Sequence, residues 1–156
     1  MVVHSVPTSI HKPENDVPCL GAASAIHGAQ LQEFILHEQM DARAYQVLAR
    51  QAPTPSAARI LSTMSADERR HAKRLSTAYF LISGVRYLPE ERAGVARNLP
   101  YPALLRRHFV GEQRGEAAYR AAAAATEDSC LREMYLELAQ DENSHAWLLR
   151  GILEGM

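Results

Sequence analysis

The sequence is poor in the residues from which β-sheets and nucleic-acid-binding surfaces are built. Aromatic residues make up 6% of the 156 residues. Ala, Leu, Arg, Glu and Gln are prominent instead, a composition that favours helices over strands. The formal net charge is −1 and acidic and basic residues are interspersed, so no basic stripe indicates a nucleic acid or an anionic membrane as partner.

Cysteine is also scarce, and the two cysteines that occur are far apart. Cys19 and Cys130 form no Cys-x-x-Cys pair, which excludes a zinc ribbon, a rubredoxin-type iron site and a thioredoxin-like motif. We expect both thiols to be unpaired, and this usage favours a cytoplasmic location. The N terminus lacks the pattern of a signal peptide, and no apolar run approaches the roughly 20 residues of a membrane span.

The chain does contain two similar segments with a constant offset of 74 residues (112 − 38). A fixed offset of this kind indicates an internal repeat. The repeated positions carry chemically active side chains: Glu38 and Glu112, Tyr45 and Tyr119, Asp67 and Asp141, Glu68 and Glu142, His71 and His145.

Apolar residues spaced by three and four predict four helices within residues 28–154. Short breaks at 52–56 and 126–129 separate the helices of each pair, with Ser56 as a predicted N-cap, and a long link at 85–101 joins the pairs. We therefore predict an all-α fold, a four-helix bundle of two antiparallel hairpins with a long crossover. Residues 1–27, which contain several prolines, are predicted to form an extended N-terminal arm.

The repeated Glu and His residues should meet inside this bundle. Residues three apart on a helix point the same way, so each Glu-x-x-His motif presents a carboxylate and an imidazole together. One such motif is usually a solvated helix face, but two motifs plus two inward glutamates would bury four carboxylates close together. That arrangement needs compensating positive charge, so we predict a two-metal site. Its ligands are Glu38, Glu68, His71, Glu112, Glu142 and His145.

Oxygen-rich ligation with one imidazole per metal suits iron or manganese, with zinc as a competitor. In our assignment one metal binds Glu38 and His71, the other binds Glu112 and His145, and Glu68 and Glu142 bridge them. Asp141 is expected to accept a hydrogen bond from His71, and Asp67 from His145, across the hairpins.

Several neighbouring residues have two interpretations. Tyr45 and Tyr119 lie two turns past a ligand Glu and are assigned a catalytic role at the site, although they could equally be core aromatics. Asp67 and Asp141 could instead be exposed helix charges. Glu116 is either a further carboxylate of the cluster or, as we favour, a charge at the bundle edge.

At these motifs the chain resembles the rubrerythrin branch of the ferritin-like superfamily, across roughly residues 28–154. The resemblance implies a cytoplasmic non-haem di-iron oxidoreductase that reduces hydrogen peroxide or dioxygen. We expect it to form a homodimer and to be supplied by a separate electron donor. Rubrerythrins usually carry a C-terminal rubredoxin domain, which is not found here. They also place a carboxylate three residues after the third-helix Glu, where this chain has Gly115.

Three rival functions remain compatible with the pattern. The first is a ferritin-like iron-binding or ferroxidase storage protein, which uses similar ligands. The second is an oxygenase acting on an organic substrate. The third is a structural bundle whose site has decayed, which would make six intact ligands accidental.

Overall fold

The computed structural model describes residues 19–90 and 98–156, and α-helices dominate both parts. The helices are α1 (Gly28–Gln51), α2 (Pro55–Ser83), α3 (Tyr101–Ala125) and α4 (Ser129–Glu154). α1 packs along α2 and α3 packs along α4. The predicted all-α four-helix bundle is thereby confirmed. None of the helices in these two parts is long and apolar enough to cross a membrane.

The helix ends follow local capping chemistry. Thr54, rather than the predicted Ser56, caps α2, because its side chain accepts from the Ala57 N–H and leaves Pro55 in the first turn. Asp128 caps α4 by accepting from the N–H groups of Cys130 and Leu131. α2 ends at Gly84, whose φ of 74° is left-handed, as expected for a glycine that stops a helix.

The core consists of two apolar clusters with a layer of buried polar side chains between them. On α2, Leu61 and Met64 belong to one cluster and Leu75 and Ala78 to the other. Buried Glu68 lies between these pairs, as does His71 one turn further along. The other three helices cross from one cluster to the other in the same way. The bundle therefore holds its polar layer in place with apolar packing on both sides.

The N-terminal segment departs from the prediction in two respects. Ala22–His27 form a short 3₁₀-helix instead of an extended arm, and residues 1–18 of that predicted arm lie outside the described residues. Cys19 and Cys130 form a disulfide, with Cα atoms 5.1 Å apart, so the expectation of two free thiols was wrong. The cysteines consequently give no support to the predicted cytoplasmic location.

Asp128 explains why these distant cysteines meet. Besides capping α4, its Oδ2 accepts from the Gly21 N–H at 3.2 Å and from the Ser24 hydroxyl at 3.3 Å. One buried carboxylate thus fastens the N-terminal segment to the start of α4. A sequence separation of 111 residues gives no hint of this return.

Replacing Gly84 should destabilise the fold, because an L side chain is strained at positive φ. We expect Gly84→Ala to lower the free energy of unfolding by about 1 kcal/mol. Gly151→Ala is the matched control, since this helical glycine has open space where a Cβ would stand and should become more stable by up to about 1 kcal/mol. Urea denaturation measures both, and a Gly84→Ala protein as stable as the parent would contradict the assignment.

Candidate metal centre

Four glutamates and two histidines, one or two from each helix, meet in the polar layer of the bundle. All six side chains are buried: Glu68 is 0% exposed and His71, the most exposed, 5%. The set is the one predicted from the repeat: Glu38 from α1, Glu68 and His71 from α2, Glu112 from α3, and Glu142 and His145 from α4.

The six side chains form two overlapping groups, each suited in size to one metal ion. One group is Glu38, Glu68, His71 and Glu142; the other is Glu68, Glu112, Glu142 and His145. Within each group the candidate ligand atoms lie within 4.8 Å of one another. Glu68 and Glu142 belong to both groups, which is the position required of carboxylates that bridge two metals. Metal binding by these residues stays a prediction.

The two imidazoles present the same nitrogen to the cluster. His71 Nδ1 lies 3.3 Å from Glu68 and 3.6 Å from Glu38, and His145 Nδ1 lies 2.6 Å from Glu68. The opposite nitrogen, Nε2, lies 2.9 Å from Asp141 in His71 and 2.9 Å from Asp67 in His145. An Nε2–H that donates to an aspartate leaves the Nδ1 lone pair free for a metal ion.

The two tyrosines also reach across the bundle. Tyr45 on α1 donates its hydroxyl to Glu112 on α3, and Tyr119 on α3 donates to Glu38 on α1. Burial and the adjacent glutamates raise the pKa of both phenols well above the usual value, so they remain protonated donors. Each tyrosine therefore positions a glutamate of the opposite hairpin, namely one that our assignment gives to a single metal.

If all four glutamates were ionised, the cluster would carry more negative charge than its two histidines neutralise. Burial and the neighbouring Glu38 raise the pKa of Glu68 to about 8, and burial also raises that of Glu142 well above normal. In Glu38, contacts with Glu68 and His71 outweigh burial and lower the pKa. Burial opposes the protonation of His145, but contact with Glu112 and Glu68 prevails and raises its pKa to about 9. In this way the metal-free centre relieves repulsion by holding protons.

The donor set fits a pair of divalent cations. Four buried carboxylate oxygens, one on each ligand glutamate, make no hydrogen bond of regular geometry among the described residues, although Glu68 Oε1 lies 2.6 Å from His145 Nδ1. Buried carboxylate oxygens normally make such hydrogen bonds. Two cations would satisfy all four and replace the protons that the metal-free centre must hold.

Residues near the cluster differ in how they relate to it. Glu116 accepts hydrogen bonds from Arg120 and Asn143 and lies outside both ligand groups. Sequence analysis missed Asp41. Burial and the negative charges of Glu112 and Glu38 raise the pKa of its carboxyl group well above normal. His108 lies 3.8 Å from Asp41, and its ring centroid is 5.0 Å from that of Tyr45. The spacing of Asp41, three residues after Glu38, could have indicated it.

The fold and this cluster define a four-helix carboxylate bundle with a candidate two-metal centre. The family model described as rubrerythrin matches residues 30–92, which include Glu38, Glu68 and His71. The predicted resemblance to rubrerythrins is thereby confirmed for this part of the chain. Searches of curated proteins and of solved structures found no match. The second half of the site, on α3 and α4, lies outside the matched residues and is related to the first by the internal repeat.

The metal-free protein should lose stability as the pH rises. Groups with raised pKa values stabilise the fold fully below their unfolded values and lose that contribution as pH passes the folded value. For Glu68 this window runs from about 4.5 to about 8, and for His145 from about 6.5 to about 9. We expect Tm to fall by roughly 5 °C between pH 6 and pH 9.

The variant Glu68→Gln provides the control for this pH dependence, because its amide cannot ionise. Its Tm should fall less than that of the parent over the same interval in chelator-treated protein. A parent Tm that rises or stays constant from pH 6 to pH 9 would show that the carboxylates are not held protonated in the metal-free centre.

The aspartates that contact the histidines should support metal binding without being ligands. Removing such a partner typically lowers metal affinity about 10- to 100-fold. We expect this loss in Asp67→Ala and in Asp141→Ala, measured by competition with a calibrated chelator. The control is Glu137→Ala, also on α4, whose carboxylate pairs with Arg74 at the surface. Equal affinities in all three variants would refute the role of the aspartates.

Proposed function

We propose that this protein is a non-haem di-iron oxidoreductase that reduces hydrogen peroxide or dioxygen. The observation that carries the proposal is the sharing of Glu68 and Glu142 between two ligand groups, each with one inward Nδ1 atom. A structural bundle would have no need for this arrangement, since burying four carboxylates together costs free energy. The match of residues 30–92 to the rubrerythrin model supports the same class.

The proposed ligand assignment follows the two groups. One metal would bind Glu38 and His71, and the other would bind Glu112 and His145, with Glu68 and Glu142 between them. Carboxylates with a single imidazole per metal suit iron or manganese, and zinc is a competitor. Zinc has no redox chemistry, and of the two redox-active metals in this set we propose iron.

A pair of ferrous ions would supply two electrons, and hydrogen peroxide would take them up with two protons to give two molecules of water. The protein's side chains prepare the site for this chemistry. Tyr45 and Tyr119 position the terminal carboxylates, which can change their binding mode as the metal charge changes. Asp67 and Asp141 fix the tautomers of the two histidines and increase their basicity.

Reduction of the oxidised pair would come from a separate electron donor, and we propose that the working unit is a homodimer. The cytoplasmic location inferred from sequence likewise stays a proposal. A ferritin-like storage function uses similar ligands and differs in assembly. Sedimentation distinguishes them, because a large shell would favour storage and a dimer of 17.3 kDa chains would favour the enzyme.

The direct test is iron loading followed by peroxide. Anaerobic loading with ferrous iron should leave about two irons per chain after desalting. Addition of hydrogen peroxide should then oxidise both irons, with absorption of ferric iron appearing as peroxide is lost. Less than one iron per chain, or bound ferrous iron that peroxide leaves unchanged, would contradict the proposal.

Variants connect this result to the bridging carboxylates. Glu68→Ala and Glu142→Ala should each abolish paired binding and leave at most one iron per chain. Glu116→Ala is the matched control, because Glu116 is a nearby carboxylate bonded to Arg120 and Asn143 instead of to the cluster. It should retain both irons. Full occupancy in the two bridging variants would disprove the assignment.

A further inference from the structure

We propose that the cleft between α1 and α3 binds the apolar body of a neutral organic hydroperoxide, with its O–O bond directed at the metal centre. This inference rests on the proposed function and names its substrate class. It goes beyond hydrogen peroxide, which needs no binding pocket for an organic group.

The cleft lies between α1 and α3, whose backbones are farther apart than those of the two helices within each hairpin. Side chains such as Phe34 and Tyr119 meet across this gap. Between the two helices lies a cavity of about 670 Å³. Gly111 of α3 lines the exposed side of this cavity, and a Cβ there would meet no atom within 4 Å.

The cavity ends at the metal centre. Its lining includes Glu38, a proposed terminal ligand, and Glu142, a proposed bridge. At its inner end, Gly115 lies so close to Glu142 that a Cβ there would stand 2.8 Å from the Oε2 atom. The absence of a side chain at Gly115 therefore leaves room for the Glu142 carboxylate at the point where that carboxylate lines the cleft.

An aromatic wall continues the cleft into the bundle. The ring centroids of Phe34 and Tyr119 are 4.4 Å apart, and both rings line the cavity. Tyr119 donates its hydroxyl to Glu38, so the same side chain borders the apolar space and holds a proposed ligand. A molecule lying against this wall would have one end at the carboxylates.

The size and charge of the cleft select the substrate class. The volume lies within the range of small-molecule pockets, about 300 to 1,000 Å³, and is far larger than hydrogen peroxide requires. Among the lining residues, all within the described parts of the chain, four are carboxylates and Arg114 is the only Lys or Arg. Arg114 is exposed, and these lining residues include no buried Lys or Arg that could pair with an anionic group, so we infer a neutral molecule with an apolar body.

The reaction balances as a two-electron reduction. The O–O bond of ROOH breaks, two protons and two electrons are taken up, and the products are the alcohol ROH and water. The two electrons come from two ferrous ions at the centre. A single turnover of protein loaded anaerobically with iron therefore needs no further reductant.

The test compares cumene hydroperoxide with hydrogen peroxide in single-turnover, stopped-flow oxidation of the iron-loaded protein. We expect both to oxidise the iron, with one hydroperoxide consumed for each two ferrous ions. Gly111→Leu, which fills the cleft, should lower the ratio of the cumene hydroperoxide rate constant to the hydrogen peroxide rate constant at least tenfold. Gly151→Leu, a helical glycine outside the cleft with equal space for a Cβ, should leave that ratio unchanged.

A binding measurement separates the cleft from the chemistry. The alcohol product, 2-phenyl-2-propanol, should bind the metal-free protein in calorimetry, and Gly111→Leu should weaken that binding at least tenfold. Absence of binding, or equal ratios in the two glycine variants, would overturn the inference. Oxidation by hydrogen peroxide alone would also overturn it while leaving the proposed function intact. If neither peroxide oxidises bound iron but the alcohol still binds, the proposed function fails and the binding site stands.

Discussion

The structure depends on the burial of four carboxylates in the centre of a helical bundle. Charged groups of this kind are expensive to remove from water, and their mutual repulsion adds to the cost. In the metal-free protein this cost is reduced by protons on Glu68 and on the histidines, whose pKa values are raised. Two divalent cations would reduce the cost further, which is why we regard the cluster as a metal centre.

The surrounding bundle is arranged to keep this cluster fixed. Apolar clusters on both sides of the polar layer hold the four helices at the spacing that brings the ligands together. The hairpins are then linked across the centre by reciprocal contacts. Tyr45 and Tyr119 bond to glutamates of the opposite hairpin, and Asp67 and Asp141 contact histidines of the opposite hairpin. The site therefore adds polar links to the apolar contacts that join the two hairpins on either side of it.

The internal repeat also explains where the two halves of the centre differ. Asp41 follows Glu38 by three residues, and its counterpart in the second half is Gly115. One half therefore carries a carboxylate beside the ligands, with a raised pKa, and the other half carries a glycine against which the Glu142 carboxylate packs. The cleft that we propose as a substrate site meets Glu142 beside that glycine. The departure from perfect symmetry is thus the feature most closely tied to substrate choice.

The four helices and the six candidate ligands could be predicted from the sequence because both depend on local residue spacing and on the internal repeat. Glu68 and His71 are three residues apart, and the helical period fixes their common direction. The Cys19–Cys130 disulfide could not be predicted in this way, because it depends on how the N-terminal segment returns to Asp128. Thr54 is the cap of α2 instead of the predicted Ser56, because Pro55 suits the first turn of the helix. The prediction therefore had to choose between two capping residues only two positions apart. The cleft was also out of reach, since helical periodicity says nothing about the distance between α1 and α3.

The measurement that tests the central claim most directly is anomalous X-ray diffraction at the iron edge from iron-loaded crystals. The account predicts two peaks per chain, about 3.5–4 Å apart, with Glu68 and Glu142 between them. One peak should lie at bonding distance from Nδ1 of His71 and the other at bonding distance from Nδ1 of His145. A single peak, or iron bound outside the polar layer, would contradict the account.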